Sequence, residues 1–178
     1  MQWFNEPARW KLEKNAMQVS SNPHTDFWRL TDCGEIHDNG HFYFETIQGD
    51  FTAEARLHGD YHDLYDQSGL MLRQNEQCWM KCGIEYVEGV WHVSAVVTRG
   101  WSDWSMIALP GRVPVSIRVV RKGSSCEVYY ATGDNDYTMY RQAYLTDVDT
   151  LHVGLMAASP TGNGFTAQFE NFILQALN

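Results

Sequence analysis

The 178-residue chain has no run of about eighteen apolar residues, so no transmembrane helix is expected. It is also short of positive charge. Thirteen Lys and Arg stand against 22 Asp and Glu, for a formal net charge of −9. Without a basic stripe to displace counterions, nucleic acid and anionic membrane surfaces are excluded as partners. The densest basic stretch, Arg118, Arg121 and Lys122, reads as a solvated strand end. Cysteine is sparse too, with four residues at 33, 78, 82 and 126. Cys78 and Cys82 lie four apart in one extended segment, about 13 Å, beyond disulfide reach. No two-residue Cys spacing and no second Cys/His pair is present, so no zinc site is expected. Reduced thiols in a cytoplasmic protein are the resulting expectation. Met1–Pro7 lacks a basic stretch leading into an apolar one, so no signal peptide is expected. No sustained 3.6-residue apolar period exists, which keeps helix content low. Repeats and linker-like stretches are also missing, and residues 1–178 read as one domain. No Gly-rich phosphate loop or Gly-x-Ser-x-Gly elbow occurs, and no cofactor is implied.

Aromatic side chains are plentiful: 7 Trp, 9 Tyr and 8 Phe. They suit strands, but a core does not need seven indoles, so some are expected at the surface. Alternation recurs along the chain, in Arg9–Ser20, His24–Leu30, His41–Gln48, Phe51–His58, Ser68–Gln74, Trp101–Leu109, Val113–Val120, Cys126–Ala131, Tyr137–Leu145, His152–Ala158 and Phe165–Leu174. Turn residues punctuate these runs at Gly49-Asp50, Gly111, Gly123-Ser124, Gly133-Asp134-Asn135 and Thr161–Gly164. Many short strands around one core predict an all-β, antiparallel sandwich.

Residues Gln77–Arg99 (QCWMKCGIEYVEGVWHVSAVVTR) carry the most information. A turn at Glu88-Gly89 pairs Glu85 with His92, Gly83 with Ser94, Lys81 with Val96 and Trp79 with Thr98. A turn at Asn75-Glu76-Gln77 then pairs Arg73 with Trp79 and Met71 with Lys81. Met80, Cys82, Ile84, Tyr86, Trp91, Val93, Ala95 and Val97 point one way, into a core. Trp79, Lys81, Glu85, His92, Ser94 and Thr98 point the other way.

That second face is the candidate site. Trp79 offers a platform for the apolar face of a sugar, and Arg73, Lys81 and Glu85 offer hydrogen bonds. His92 would orient or tune Glu85, while Glu54, Arg56 and His58 are candidate additions from another strand. Trp101 is read as a rim residue and Trp104 as structural. The plain alternative is a solvated face whose cross-strand pairs are each worth less than about 1 kcal/mol. Were the protein an enzyme, Glu85 and His92 would supply acid and base, and Glu54 with Glu85 would be the carboxylate pair of a glycosidase. The loop His58–Asp66 gathers two His and three Asp, but lacks the order of a helical calcium loop and reads as a polar connection; no metal site is assigned.

Three ordered segments carry a family resemblance: Asp66–Arg73 (DQSGLMLR), Trp79–Tyr86 (WMKCGIEY) and Val97–Ser105 (VTRGWSDWS). They resemble the domain of unknown function 1349 family, related to the yeast regulation-of-enolase protein, and the likeness extends over nearly the whole chain. The resemblance implies a concanavalin A-like lectin/glucanase jelly roll whose concave sheet carries sugar sites in the broader superfamily. It implies no defined activity. The Glu-x-Asp-x-x-Glu signature of glycanases in that superfamily is missing, since Glu85 is followed by Tyr86-Val87-Glu88. The expectation is a non-catalytic module for a carbohydrate or polyhydroxylated metabolite. The alternatives are a protein-interaction or regulatory module of carbohydrate metabolism, and a glycan-acting enzyme centred on Glu85 and His92. A homodimer through a sheet edge or face is a further candidate.

Overall fold

Alternation of apolar and polar residues resolves into sixteen strands in the computed structural model, which describes residues 1–133 and 136–177. They are β1 (Gln2–Phe4), β2 (Arg9–Glu13), β3 (Ala16–Ser20), β4 (Phe27–Arg29), β5 (Ile36–Asp38), β6 (His41–Gln48), β7 (Phe51–Gly59) and β8 (Gln67–Asn75). After them come β9 (Cys78–Val87), β10 (Val90–Arg99), β11 (Trp101–Ala108), β12 (Val115–Lys122), β13 (Ser125–Ala131), β14 (Thr138–Tyr144), β15 (Thr150–Ala158) and β16 (Thr166–Ala176). No helix occurs among the described residues. Asp134 and Asn135, in the turn expected at Gly133-Asp134-Asn135, lie outside them.

Two seven-stranded antiparallel sheets form a β-sandwich. The first runs β1-β6-β15-β8-β9-β10-β11 and the second β14-β13-β12-β7-β16-β3-β2. Their inner faces meet in one core: Leu70, Met80, Ile84, Val93 and Val97 from the first sheet oppose Ala53, Leu57, Ile117 and Val119 from the second. The hairpin expected at Glu88-Gly89 has the anticipated register, Val87 opposite Val90 and Trp79 opposite Thr98. Both turn residues have positive φ, 49° and 87°, as a two-residue turn matched to strand twist requires. The β8–β9 register also agrees, with Arg73 opposite Trp79 and Met71 opposite Lys81.

The short extended piece expected at His24–Leu30 is half of a hairpin, β4–β5, pairing Phe27 with Asp38 and Arg29 with Ile36. It belongs to neither sheet of the sandwich. It packs on the outer face of the first sheet, where Phe27 sits with Phe42, Phe44, Met71, Trp79, Val96 and Met156 in a second apolar core. That outer face is therefore not open to water along its whole length. This hairpin decides which of the sequence candidates a ligand can reach.

Candidate functional site

The outer face of β8, β9 and β10 carries the expected residues, and β4–β5 divides it in two. Under the hairpin, Trp79 is fully buried, its ring 6.2 Å from that of Phe27 in an edge-on contact. It is a core residue of the second cluster, which corrects its reading as an exposed platform. Arg73 is occupied as well: its guanidinium donates to both Asp38 oxygens, at 2.7 and 2.8 Å, and lies over the Phe4 ring. Lys81 donates to Asp26 Oδ1 at 3.1 Å and to the Phe27 carbonyl at 2.6 Å. Such pairs carry little net energy when intact but cost several kcal/mol when one partner is removed. Arg73, Trp79 and Lys81 thus anchor the chain's own hairpin. They met a ligand of sorts, and it is residues 26–38.

Beyond the hairpin the face is open, and there Glu85 is the central group. Its carboxylate accepts from Ser94 Oγ at 2.6 Å and from Trp104 Nε1 at 2.9 Å. Burial pushes its pKa up, and the nearby Lys81 ammonium and the Ser94 hydrogen bond pull partly the other way. Lys81, its nearest cation, is hydrogen-bonded to the hairpin instead. Asp26 joins from the hairpin side, holding Gln67 Nε2 at 3.3 Å. The floor is glycine: Gly69 faces Gly83 across β8–β9. A Cβ on either would meet the backbone of the facing strand at 2.0 Å, so the strands approach there as only glycine allows. A cavity of about 10 Å³, the size of one water, lies over this floor among Gln67, Lys81, Gly83, Glu85, Ser94 and Met156.

Two aromatics stand beside Glu85. Trp104 is 36% exposed, and Tyr65 meets it edge-on with centroids 6.2 Å apart. Tyr65 has φ of 68°, an uncommon conformation for a bulky residue. Its N–H donates to the Tyr86 carbonyl at 2.7 Å, and its own carbonyl accepts from Gln67. The strand end is therefore held in place from both sides.

Several sequence candidates lie elsewhere. Glu54 and Arg56 belong to β7, on the outer face of the second sheet, so both sheets separate Glu54 from Glu85. Glu54 is held there by Arg118 at 2.7 Å and Tyr137 at 2.6 Å, and Arg56 sits near Glu170. The proposed carboxylate pair does not exist. His92 faces Glu85 in register, but its Nδ1 is bonded to the Val90 carbonyl at 3.0 Å; Ser94 and Trp104 hold Glu85 instead. Trp101 and Trp104 do lie on opposite faces of β11, and Trp101 is exposed as expected, but it is Trp104, read as structural, that stands beside Glu85. Trp104 reaches Glu85, whereas Trp101 is 63% exposed on the other side, next to Asp103, which pairs with Arg141 of the second sheet. The loop after β7 brings His62, Asp63 and Asp66 within 4.8 Å. Asp66 spends one carboxylate oxygen on the loop itself, accepting from the His62 and Asp63 amides, and the other on the Ser159 hydroxyl just after β15.

Asp26, Gln67, Tyr65 and Trp104 are the site residues that sequence reasoning missed. Continuing the hairpin register through Gly100 places Trp104 beside Val96, on the Glu85 face, so that signal was present. No local pattern could bring Asp26 to Lys81 across 55 residues.

A family model described as "Protein of unknown function (DUF1349)" matches residues 3–177. The chain is 33% identical over 175 residues to "Regulation of enolase protein 1" of Saccharomyces cerevisiae, spanning 98% of this chain and 88% of that protein. A crystal structure of a functionally unknown protein from Saccharomyces cerevisiae superposes with a TM-score of 0.95 at 32% identity, covering 99% of this chain and 96% of that one. The carbohydrate binding module CBM66 from Bacillus subtilis shares the fold with a TM-score of 0.63 at 12% identity, over 98% of this chain and 95% of that module.

Proposed function

We propose that this chain, which belongs to the DUF1349 family, is a non-catalytic binding module that takes a polyhydroxylated ligand at the open half of its first sheet. The observation that carries this reading is Glu85: a carboxylate only 6% exposed, fixed by Ser94 and Trp104, at the mouth of a glycine-floored notch. A fixed carboxylate accepts hydroxyl hydrogen bonds strongly, and the faces of Trp104 and Tyr65 suit the apolar side of a sugar ring. Gln67 and Asp26 supply further polar contacts. The fold shared with a carbohydrate binding module is compatible with this role but does not carry it. A cytoplasmic location, with Cys33, Cys78, Cys82 and Cys126 as free thiols, is part of the same proposal.

The test is titration calorimetry against a panel of sugars and sugar metabolites, using wild type, Trp104→Ala and Glu85→Gln. Saturable binding weakened about tenfold or more in both variants is expected. A panel without saturable binding, or variants that bind like wild type, sinks the reading.

A second reading is a protein-interaction module, favoured by the exposed Trp101, Met106 and Ile107 on edge strand β11 and by the name of the yeast relative. In that case Trp101→Ser with Ile107→Ser abolishes capture of a partner protein while leaving any sugar binding intact.

A further inference from the structure

We infer a second binding site, for a medium-chain monocarboxylate, in the seam between the two sheets on the side away from β11. The sandwich is not sealed there. A cleft of about 370 Å³ opens between β6 and β15 of the first sheet and β3 and β16 of the second. Its floor is the main core itself, Met17, Leu155 and Phe169, each no more than 4% exposed. Its rim is apolar and wet: Leu12 is 52% exposed and Ile173 54%.

The local backbone explains the opening. The β16–β7 ladder shifts register between Glu170 and Ile173, and Asn171 inside that bulge has φ of 52°. The bulge turns Phe172 toward the core and leaves Ile173 on the rim. Near the opposite wall, Trp3, Trp10 and Tyr43 pack together and bridge the two sheets. The cleft begins where that aromatic seal ends, at Tyr43.

Volume and lining select the ligand. The volume falls at the lower end of the range for small-molecule sites, about 300–1,000 Å³, and an apolar lining with few polar groups is their usual composition. Charge selects the head group. In a protein of net charge −9, this cleft is lined by no Asp or Glu, and the one charged side chain lining it is Lys14, at the β2–β3 turn. Asn15 and Asn171 beside it are joined by a backbone hydrogen bond of 2.8 Å and offer side-chain amides at the mouth. An acyl chain laid over Leu155 and Phe169, with its carboxylate at Lys14, satisfies both the apolar floor and the cationic rim. This site shares no residue with the Glu85 notch and does not depend on it.

The experiment is calorimetric titration with decanoate and with decanol, which share a chain and differ in charge. Leu12→Trp fills the mouth from an exposed lining position, on the cleft side of β2 opposite Met17, and Lys14→Glu reverses the rim charge. Wild type is expected to bind decanoate saturably. Leu12→Trp should abolish this, and Lys14→Glu should weaken decanoate about tenfold while leaving decanol within about twofold. No saturable decanoate binding in wild type overturns the inference. So does binding by Leu12→Trp equal to wild type, or an equal response of both ligands to Lys14→Glu.

Discussion

Glu85 and His41 are two buried titratable groups whose environments act in opposite directions. For Glu85, burial raises the carboxyl pKa above its ordinary range. Ionising it in the native state is therefore harder than in the unfolded chain, where the value is about 4.3. Its contribution to stability is present below that value and is lost as pH rises through the folded pKa. Glu85→Gln should thus gain stability relative to wild type between pH 4 and pH 7, whatever constant offset the lost hydrogen bonds impose. Urea unfolding at both pH values measures this, and an identical difference at the two would refute the raised pKa. For His41, burial lowers the pKa, opposed by its bond to the Asn5 carbonyl. Nδ1 donates to that carbonyl at 2.6 Å and Nε2 accepts from the Asn22 amide at 3.0 Å, so the neutral ring is the one that fits. Its contribution is present above about pH 6.5 and lost as pH falls through the folded value. In His41→Gln the loss of stability between pH 7.5 and pH 5 should be smaller than in wild type, by the same unfolding measurement.

The β4–β5 hairpin is the element on which the site depends. Three residues pair with three, too few to be stable alone in water. Tertiary contacts hold it: Phe27 in the second core, Asp26 on Lys81 and Asp38 on Arg73. Phe27→Ala should cost about 3–5 kcal/mol, the usual range for truncating a buried phenylalanine. Asp26→Ala leaves the Lys81 ammonium buried without its carboxylate and should cost about 3 kcal/mol or more. Asp38 is more exposed than Asp26, so Asp38→Ala should cost less than Asp26→Ala. Chemical denaturation orders the three, and hydrogen exchange shows whether losses begin at residues 26–38. The β9–β10 hairpin contrasts with it. Its register was legible beforehand because a two-residue turn and strict alternation encode it locally. The β4–β5 hairpin was only half legible, since Ile36–Asp38 is too short to show a period and its stability comes from residues far along the chain.

For the whole molecule, the shared core should make the two sheets open together, and the thiols report on that opening. Cys33 is exposed, Cys78 half-buried, and Cys82 and Cys126 buried between the sheets. Burial pushes the Cys82 thiol well up and that of Cys126 to about 11. A thiol reagent should modify Cys33 rapidly and Cys78 more slowly. Cys82 and Cys126 should react only at the rate of global unfolding, since the thiolate is the reacting form. Mass spectrometry of partly labelled protein reads the order directly, and fast labelling of Cys126 would mean that β13 opens independently of the sandwich.

Most strands, though not β1 or β5, their inward and outward alternation, the all-β class and the family were determined by the sequence alone. Each is set by neighbours two residues apart or by ordered local segments such as Asp66–Arg73 and Trp79–Tyr86. What lies over a face was decided only by the tertiary structure. Alternation told that Arg73, Trp79, Lys81 and Glu85 share one side of a sheet. It could not tell that residues 26–38 return to cover the first three and leave the fourth, itself buried, lining a notch beyond the hairpin. Nor could it tell that Glu54, on a strand with equally clear alternation, faces outward from the opposite sheet. The physical reason is range. A pleat orders side chains along a strand, whereas the pairing of β7 with β12 and the seating of Phe27 on Trp79 depend on burial summed over the whole fold.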